Sequence, residues 1–282
     1  MTVGAVGDRE IDIPRMLPER GIDIVVTLLE PLERVTRPKL YGAENIPADG
    51  SLLVGNHTLY GLLDLPFMLA ELWKRRHLTV RSLGERAHYA IPLWREALTL
   101  GGMVRGTREN VRALMDERQT VLVFPGGSRE VNKRRGEKYQ LIWKERIGFA
   151  RLAIEYGYPI VPFAAVGAEE MLDIVIDESN PAFARLGDVV RKLTGWPMGP
   201  LVHGVGPTLL PHAERLYFWF GEPIDTTRFE GRQDDDEAAR AVRNEVKRAV
   251  EGGIDFLLAE READPRRPLR KRLLSRGTAD DS

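Results

Sequence analysis

Residues 120–135 read TVLVFPGGSREVNKRR. Thr120 to Phe124 is an unbroken run of apolar and β-branched side chains that stops on Pro-Gly-Gly, the signature of a buried strand delivered into a tight turn. A strand with one wet face alternates; one that is apolar throughout is covered on both faces, as in a parallel sheet. Gly126 and Gly127 let the backbone come close to a ligand and can turn N–H groups towards an anion or an oxyanion. Arg129 adds a permanent charge able to grip phosphate. Ser128 could be read as a nucleophile, but Gly-Gly-Ser-Arg-Glu lacks the second glycine of the hydrolase elbow Gly-x-Ser-x-Gly. The same residues also fit a plain strand-to-helix turn with a surface arginine.

The rhythm of this stretch repeats on either side. Short apolar runs predict strands at 51–54, 78–82, 102–104, 160–165 and 216–220. Between them, helical spacing predicts helices at 61–73, 87–98, 109–118 (with Thr107 as N-cap) and 139–156. Alternation of this kind predicts an α/β fold with a mostly parallel central sheet flanked by helices. Residues 1–36 read as a lead-in followed by an amphipathic helix, 37–232 as a single α/β domain, and 233–282 as a charged helix and a basic tail. Residues 168–211, with GWPMGP near their end, form an excursion from this pattern.

Composition narrows the function. The 282 residues carry 43% hydrophobic and 29% charged side chains, the balance of a folded chain. Lys and Arg number 41 against 42 Asp and Glu, so the net charge of −1 gives no reason to expect nucleic acid. Without cysteine there is no disulfide, thiolate metal site or thiol nucleophile. Walker, zincin and dinucleotide-binding patterns do not occur, and no metal is expected. No apolar run approaches the ~18–20 residues needed to span a bilayer. The first residues lack the apolar core of a signal peptide, which predicts a cytoplasmic protein able to lie on a membrane.

The second informative stretch is SLLVGNHTLYGLLDLP, residues 51–66. A buried strand ends at Gly55 and is followed by Asn56 and His57, at the strand end where open α/β sheets collect their chemistry. A neutral imidazole there can take a proton from a hydroxyl near neutral pH. Asp64 lies seven residues on. In one regular helix it would sit two turns, roughly 10 Å, away, so it can orient His57 only if Tyr60-Gly61 folds back as a turn. Otherwise His57 merely caps a helix and Asp64 is solvated.

Taken together, these blocks resemble the glycerolipid and lysophospholipid acyltransferases. Members of that family carry Asn-His followed by four residues and Asp, a Gly-x-x-x-Arg block, a Phe-Pro-Glu-Gly-Thr-Arg-like block and a later Val-Pro block. Here they correspond in order to Asn56-His57, Gly102 to Gly106 with Arg105, Phe124 to Arg129, and Ile160-Val161-Pro162, over residues 39–223. Two positions depart from the pattern. Leu62 stands where the family has Asp, which displaces the dyad partner to Asp64 or loses it, and Gly126 stands where the family has Glu. Pro-Gly-Gly-Ser-Arg-Glu is similar to the branch of diacylglycerol acyltransferases and phytyl ester synthases, which tilts the expected acceptor towards a neutral lipid alcohol.

The resemblance implies an O-acyltransferase without cofactor, taking its acyl group from acyl-CoA as co-substrate, or from an acyl carrier protein thioester, and passing it to a lipid hydroxyl at the cytoplasmic membrane surface. His57 would be the base, with Asp64 holding its tautomer. Asn56, Arg105, Gly126, Gly127, Ser128, Arg129 and Glu130 would contact substrate, the two glycines through oxyanion-binding N–H groups. A lipid ester or thioester hydrolase, and an idle acyl-CoA- or lipid-binding protein, are the alternatives. The basic run 133–138 fits coenzyme A phosphates or a solvated loop, and the cations at 266–276 fit anionic lipid or a disordered tail. His77, His88, His203 and His212 read as structural, and Trp73, Trp94 and Trp143 as core or membrane-interface residues.

Overall fold

The TVLV run does form a strand in the middle of a sheet. The computed structural model describes residues 11–61, 63–85, 89, 91–195 and 198–274. In chain order the strands are β1 (Lys39–Tyr41), β2 (Leu52–Gly55), β3 (Val80–Gly84), β4 (Val104–Arg105), β5 (Thr120–Val123), β6 (Ile160–Val166), β7 (Asp173–Ile176), β8 (Leu201–His203) and β9 (Tyr217–Phe220). Seven of them make one sheet in the order β1-β9-β6-β2-β5-β3-β4, while β7 and β8 pair separately as a ribbon. All neighbours in the large sheet are parallel except β6 and β9. The helices are α1 (Glu19–Thr36), α2 (Leu65–Arg76), α3 (Pro92–Leu100), α4 (Arg108–Asp116), α5 (Gly127–Val131), α6 (Gly148–Tyr156), α7 (Pro181–Thr194), α8 (Asp236–Ala263) and α9 (Leu269–Leu274).

Alternate residues of the central strands feed two cores. Leu52, Val54, Val121 and Ile160 pack with Val111 and Leu114 of α4, Ala150 and Ala153 of α6, and a long stripe of α8. Leu53, Leu122, Val161 and Phe163 face the other way, onto Phe67, Met68 and Leu72 of α2 and Leu29 of α1. The stripe of α8 is Ala239, Val242, Val246, Val250, Ile254 and Leu257, a spacing of three or four that keeps one helical face on the sheet. Asp235 caps this helix by accepting from the amides of Glu237 and Ala238.

Several expectations need correction. The boundary at 232/233 does not separate a unit, because α8 supplies one whole side of the core. Nor is the basic segment a free tail as far as residue 274: Arg272 is 1% exposed and donates to the carbonyls of Arg267 and Ala213, and Arg215 pairs with Asp264 at 2.8 Å. Arg276 lies outside the described residues, as do His88 and Leu62. The helix expected over 139–156 begins only at Gly148, since Tyr139 and Lys144 take positive φ angles of 61° and 51°. Trp143 still reaches the core from this irregular stretch, at 1% exposed. The helix expected over 61–73 is a 3-10 turn, Leu59–Gly61, followed by α2. The helix expected over 87–98 is described as α3 from Pro92 to Leu100, and the short β1, which pairs with β9, escaped the periodicity altogether.

Candidate active site

β2 lies between β6 and β5, so its carboxyl end opens at the centre of the sheet. Asn56 follows it, and its amide is fully used: Nδ2 donates to the Ala165 carbonyl at 2.9 Å and Oδ1 accepts from the Ala165 amide at 2.8 Å. Asn56 therefore ties β2 to β6 and sets the exit direction of the next residue. It is 1% exposed and, expected from the motif to contact substrate, lines the same small cavity as His57.

His57 comes next and is held on several sides. Its imidazole stacks on the ring of Phe124, from the end of β5, with centroids 3.9 Å apart and planes 18° from parallel. Gly61 closes the rim of the ring: a Cβ there would lie 1.9 Å from Cε1, 2.7 Å from Nδ1 and 2.9 Å from Nε2. With a φ of 60° as well, position 61 accepts glycine on both steric and conformational grounds. Tyr60 shares the left-handed conformation, with φ 58°, and its hydroxyl donates to the Pro200 carbonyl. The chain thus turns back after His57, as the position of Asp64 required.

Asp64 precedes the first turn of α2 and is 5% exposed. His57 and Asp64 line the same small cavity, together with Phe124, Phe163, Met68 and Phe218. Asp64 Oδ1 accepts from the Thr58 hydroxyl at 2.9 Å. Burial lifts its pKa to about 6 against the opposing pull of that hydrogen bond. Thr58 was not singled out by the sequence; a hydroxyl between a histidine and an acid is its only signal there.

Beneath this turn runs a set of buried charges. Lys133 donates from Nζ to the His57 carbonyl at 2.7 Å and to Glu169 Oε1 at 2.5 Å, both side chains being 2% exposed. Glu130 Oε2 accepts from the His57 amide at 3.4 Å, and Oε1 from the Ile142 amide at 3.2 Å. The peptide groups on both sides of the His57 Cα are therefore held by the side chains of Glu130 and Lys133. Burial pushes the Glu130 carboxyl up to about 7, partly offset by the Lys133 ammonium. Glu169 is also raised by burial, and its Oε2 accepts from the Tyr139 amide at 2.6 Å. Glu130 had been expected to contact substrate; at 0% exposed it supports the histidine from below instead. Gly126 explains why no side chain precedes it, since a Cβ there would lie 2.0 Å from Glu130 Oε2.

The remaining motif residues are engaged elsewhere. The Gly127 N–H, expected to meet an oxyanion, donates to the Phe124 carbonyl at 3.0 Å as part of the turn. The Ser128 amide donates to Glu85 Oε1 at 2.9 Å, and its carbonyl accepts from Asn132. Arg129 spends its guanidinium on Glu137 Oε1 at 2.5 Å and on the Asn132 carbonyl at 3.2 Å. Arg105 sits on β4, three strands from β2 and so roughly 14 Å from the histidine strand. The basic run after Lys133 is exposed and touches the excursion: the Arg135 amide donates to Asp177 at 2.7 Å, and Arg134 pairs with Glu178 at 3.4 Å. Among the described residues no group of three or more His, Cys, Asp and Glu side chains could hold a metal ion.

An apolar cavity of about 260 Å³ opens on the other side of Gly61. Val25 and Leu29 of α1, Leu69 and Trp73 of α2, Leu98 of α3 and Met103 form its walls. Trp73 is fixed there by donating from Nε1 to Asp23 of α1 at 2.9 Å. Gly61 lines this cavity and also packs against the rim of His57, so the apolar space and the histidine are neighbours across one glycine.

Comparison with known proteins agrees with this arrangement. A family model described as Acyltransferase matches residues 37–166. Phytyl ester synthase 2, chloroplastic, of Arabidopsis thaliana is 32% identical over 94% of this chain and 40% of its own length. Diacylglycerol O-acyltransferase 2A of Umbelopsis ramanniana is 27% identical over 60% of this chain and 50% of its own. The chain thus spans less than half of the plant relative. The crystal structure of the 1-acyl-sn-glycerophosphate acyltransferase of Thermotoga maritima aligns over 83% of this chain and 81% of its own, with a TM-score of 0.47 and 19% identity. Residues 37–166 thus match the acyltransferase family, and the chain as a whole is similar to phytyl ester synthases and diacylglycerol acyltransferases.

Proposed function

We propose that the protein moves a fatty acyl group from a coenzyme A or acyl carrier protein thioester to a hydroxyl of a neutral lipid alcohol, with His57 as general base. The observation that carries this reading is the apolar cavity lined in part by Gly61, which also packs against the rim of the imidazole. An acyl chain lying there places its thioester carbonyl beside the ring nitrogens. His57 then takes the proton of the acceptor hydroxyl as its oxygen attacks the carbonyl carbon, and the thiolate leaves with that proton. Asp64, buried in the same cavity as the imidazole and ionised above about pH 6, stabilises the imidazolium that forms. No cofactor takes part in this scheme.

The neutral acceptor is supported by the fate of Arg129. Its ion pair with Glu137 leaves it poorly placed to hold a phosphorylated headgroup. Incubation of the purified protein with acyl thioesters and a panel of hydroxyl lipids tests the whole reading. New ester formed with long-chain or isoprenoid alcohols supports it. Free fatty acid as the main product would make the protein a hydrolase, and saturable binding without turnover would make it a carrier. Ester formed only with phosphorylated acceptors would overturn the acceptor class. Association with a membrane surface is part of the proposal; no described helix is long and apolar enough to cross one.

A further inference from the structure

The excursion contains a helix that has no core to cover. None of residues 181–193 of α7 is buried, yet the helix is well specified. Asn180 caps it by accepting from the amides of Ala182 and Phe183, Pro181 opens it, and Gly195 ends it in the left-handed conformation with φ 75°. Leu186, Val189 and Leu193 share one stripe and are 54%, 52% and 81% exposed. Phe183 and Val190, turned about a quarter of the way round, are half-buried. Leu209 and Leu210, in the loop after the ribbon, are also exposed, at 71% and 66%. Large apolar groups at such exposure and density mark a surface that is covered in use.

Charge decides what covers it. Along α7 the charged residues are Arg185, Arg191 and Lys192 against Asp188, which Arg191 already pairs at 2.7 Å. Arg185 and Lys192 lie along one border of the apolar stripe. Another exposed stripe, on α1, includes Ile24, Leu28 and Leu32; of the charged residues of that helix, Glu33 pairs with Lys74 and Asp23 accepts from Trp73. An apolar face edged by cations suits the boundary of a bilayer with anionic headgroups. The excursion is also anchored at the reaction centre. Tyr60 donates to the Pro200 carbonyl, and a Cβ at Gly199 would lie 3.0 Å from the Tyr60 ring. Tyr60 directly precedes the glycine that closes the His57 rim.

We propose that α7 and the loop at Leu209-Leu210 are the membrane-docking surface, inserting into an anionic bilayer so that the acceptor lipid enters past Tyr60. The proposal rests on the acyltransferase reading only for the identity of that lipid. Vesicle binding tests it without any turnover, so the two can fail separately. Wild type, Leu186→Glu/Leu193→Glu, Arg185→Glu/Lys192→Glu and the α1 variant Leu28→Glu/Leu32→Glu would be floated with vesicles of phosphatidylcholine, with and without phosphatidylglycerol. All six positions are exposed, and circular dichroism checks that the variants fold. The expected result is a loss of roughly tenfold or more in binding for the leucine pair of α7, a loss confined to anionic vesicles for the cation pair, and a change of less than about twofold for α1. Turnover of a water-soluble short-chain thioester and alcohol should stay at the wild-type level in the α7 variants. The proposal is overturned if wild type ignores both vesicle types, if the α7 leucine pair floats like wild type, or if α1 carries the loss. It is equally overturned if wild type sediments as a dimer that the α7 substitutions split, because a second copy would then be the occupant.

Discussion

The two faces of the sheet are built to different purposes. Against one face α8 lays a continuous stripe of buried aliphatic residues, packed together with α4 and α6. Against the other face α1 buries only Glu33 and Thr36, α3 buries nothing, and a cavity of about 260 Å³ remains between them and α2. The first arrangement is what close packing produces when stability alone is at stake. The second keeps apolar surface in reserve for a guest, and it is the one that neighbours the histidine.

The sharpest way to break that comparison is to remove the histidine. His57→Ala should lower kcat by about 10²–10⁴-fold, the usual contribution of a positioned base. The melting temperature should stay close to wild type, because the ring stacks on Phe124 at the surface of the core. A folded variant that keeps more than a tenth of wild-type turnover would remove His57 from the mechanism. Asp64→Asn gives a smaller loss, best seen above about pH 6, where the wild-type carboxyl is charged.

Next in size is the buried pair below it. Lys133→Met leaves Glu169 charged and unpaired, and should cost about 3–5 kcal/mol of stability, measured by urea unfolding. Adding Glu169→Gln removes the stranded charge and should restore most of that stability. If the pair served only the fold, kcat would recover too; the hydrogen bond from Lys133 to the His57 carbonyl predicts that it does not.

A third test sets one face against the other. Leu257→Ala, at 0% exposed in α8, should destabilise by about 2–5 kcal/mol. Leu29→Ala on the cavity wall should cost less, since that wall is already incompletely packed. Leu29→Trp should leave stability within about 1–2 kcal/mol and shift preference towards shorter acyl thioesters, read from kcat/KM across a chain-length series.

The smallest effect is a pH dependence. Glu130 has a folded pKa of about 7 against an ordinary value of 4.5, so the stability it contributes is full below 4.5 and is lost as pH rises through 7. Relative to wild type, Glu130→Gln should therefore gain in melting temperature between about pH 5 and pH 8. A difference that is flat with pH would mean that the carboxyl is not buried as a neutral acid.

How much of this could be read beforehand depends on the range of the forces involved. The strands at 120–123, 160–166 and 217–220 announced themselves because each is buried on both faces and so carries its signal locally. The Thr107 cap did so too, by accepting from the Asn110 amide. β1 could not, being three residues whose only partner, β9, lies at the far end of the chain. The helix over-read at 139–147 had apolar residues at helical spacing, but they were recruited singly into the core by a chain that turns at Tyr139 and Lys144. At the site, the motif order located His57 and the turn that follows it. The partners of Asn56, Gly127 and Arg129, namely Ala165, Phe124 and Glu137, were not legible there, because they are set by three-dimensional packing. Lys133 and Glu169 stand 36 residues apart, and nothing local in either marks it as the other's partner.

The sheet order also has a consequence for how the chain is made. β2 acquires its two neighbours only when residues 120–123 and then 160–166 have been synthesised, and β1 waits for residues 217–220. While translation proceeds, the strand that bears the histidine therefore presents unpaired backbone edges, which invite association with other nascent chains. A ribosome stalled before residue 160 should hold an unprotected central strand, and one that has released β6 a protected one. Arrest at those two lengths, followed by limited proteolysis, would show the protein becoming resistant in a step near the completion of β6. The last helices would arrive afterwards, onto a sheet whose middle is already closed.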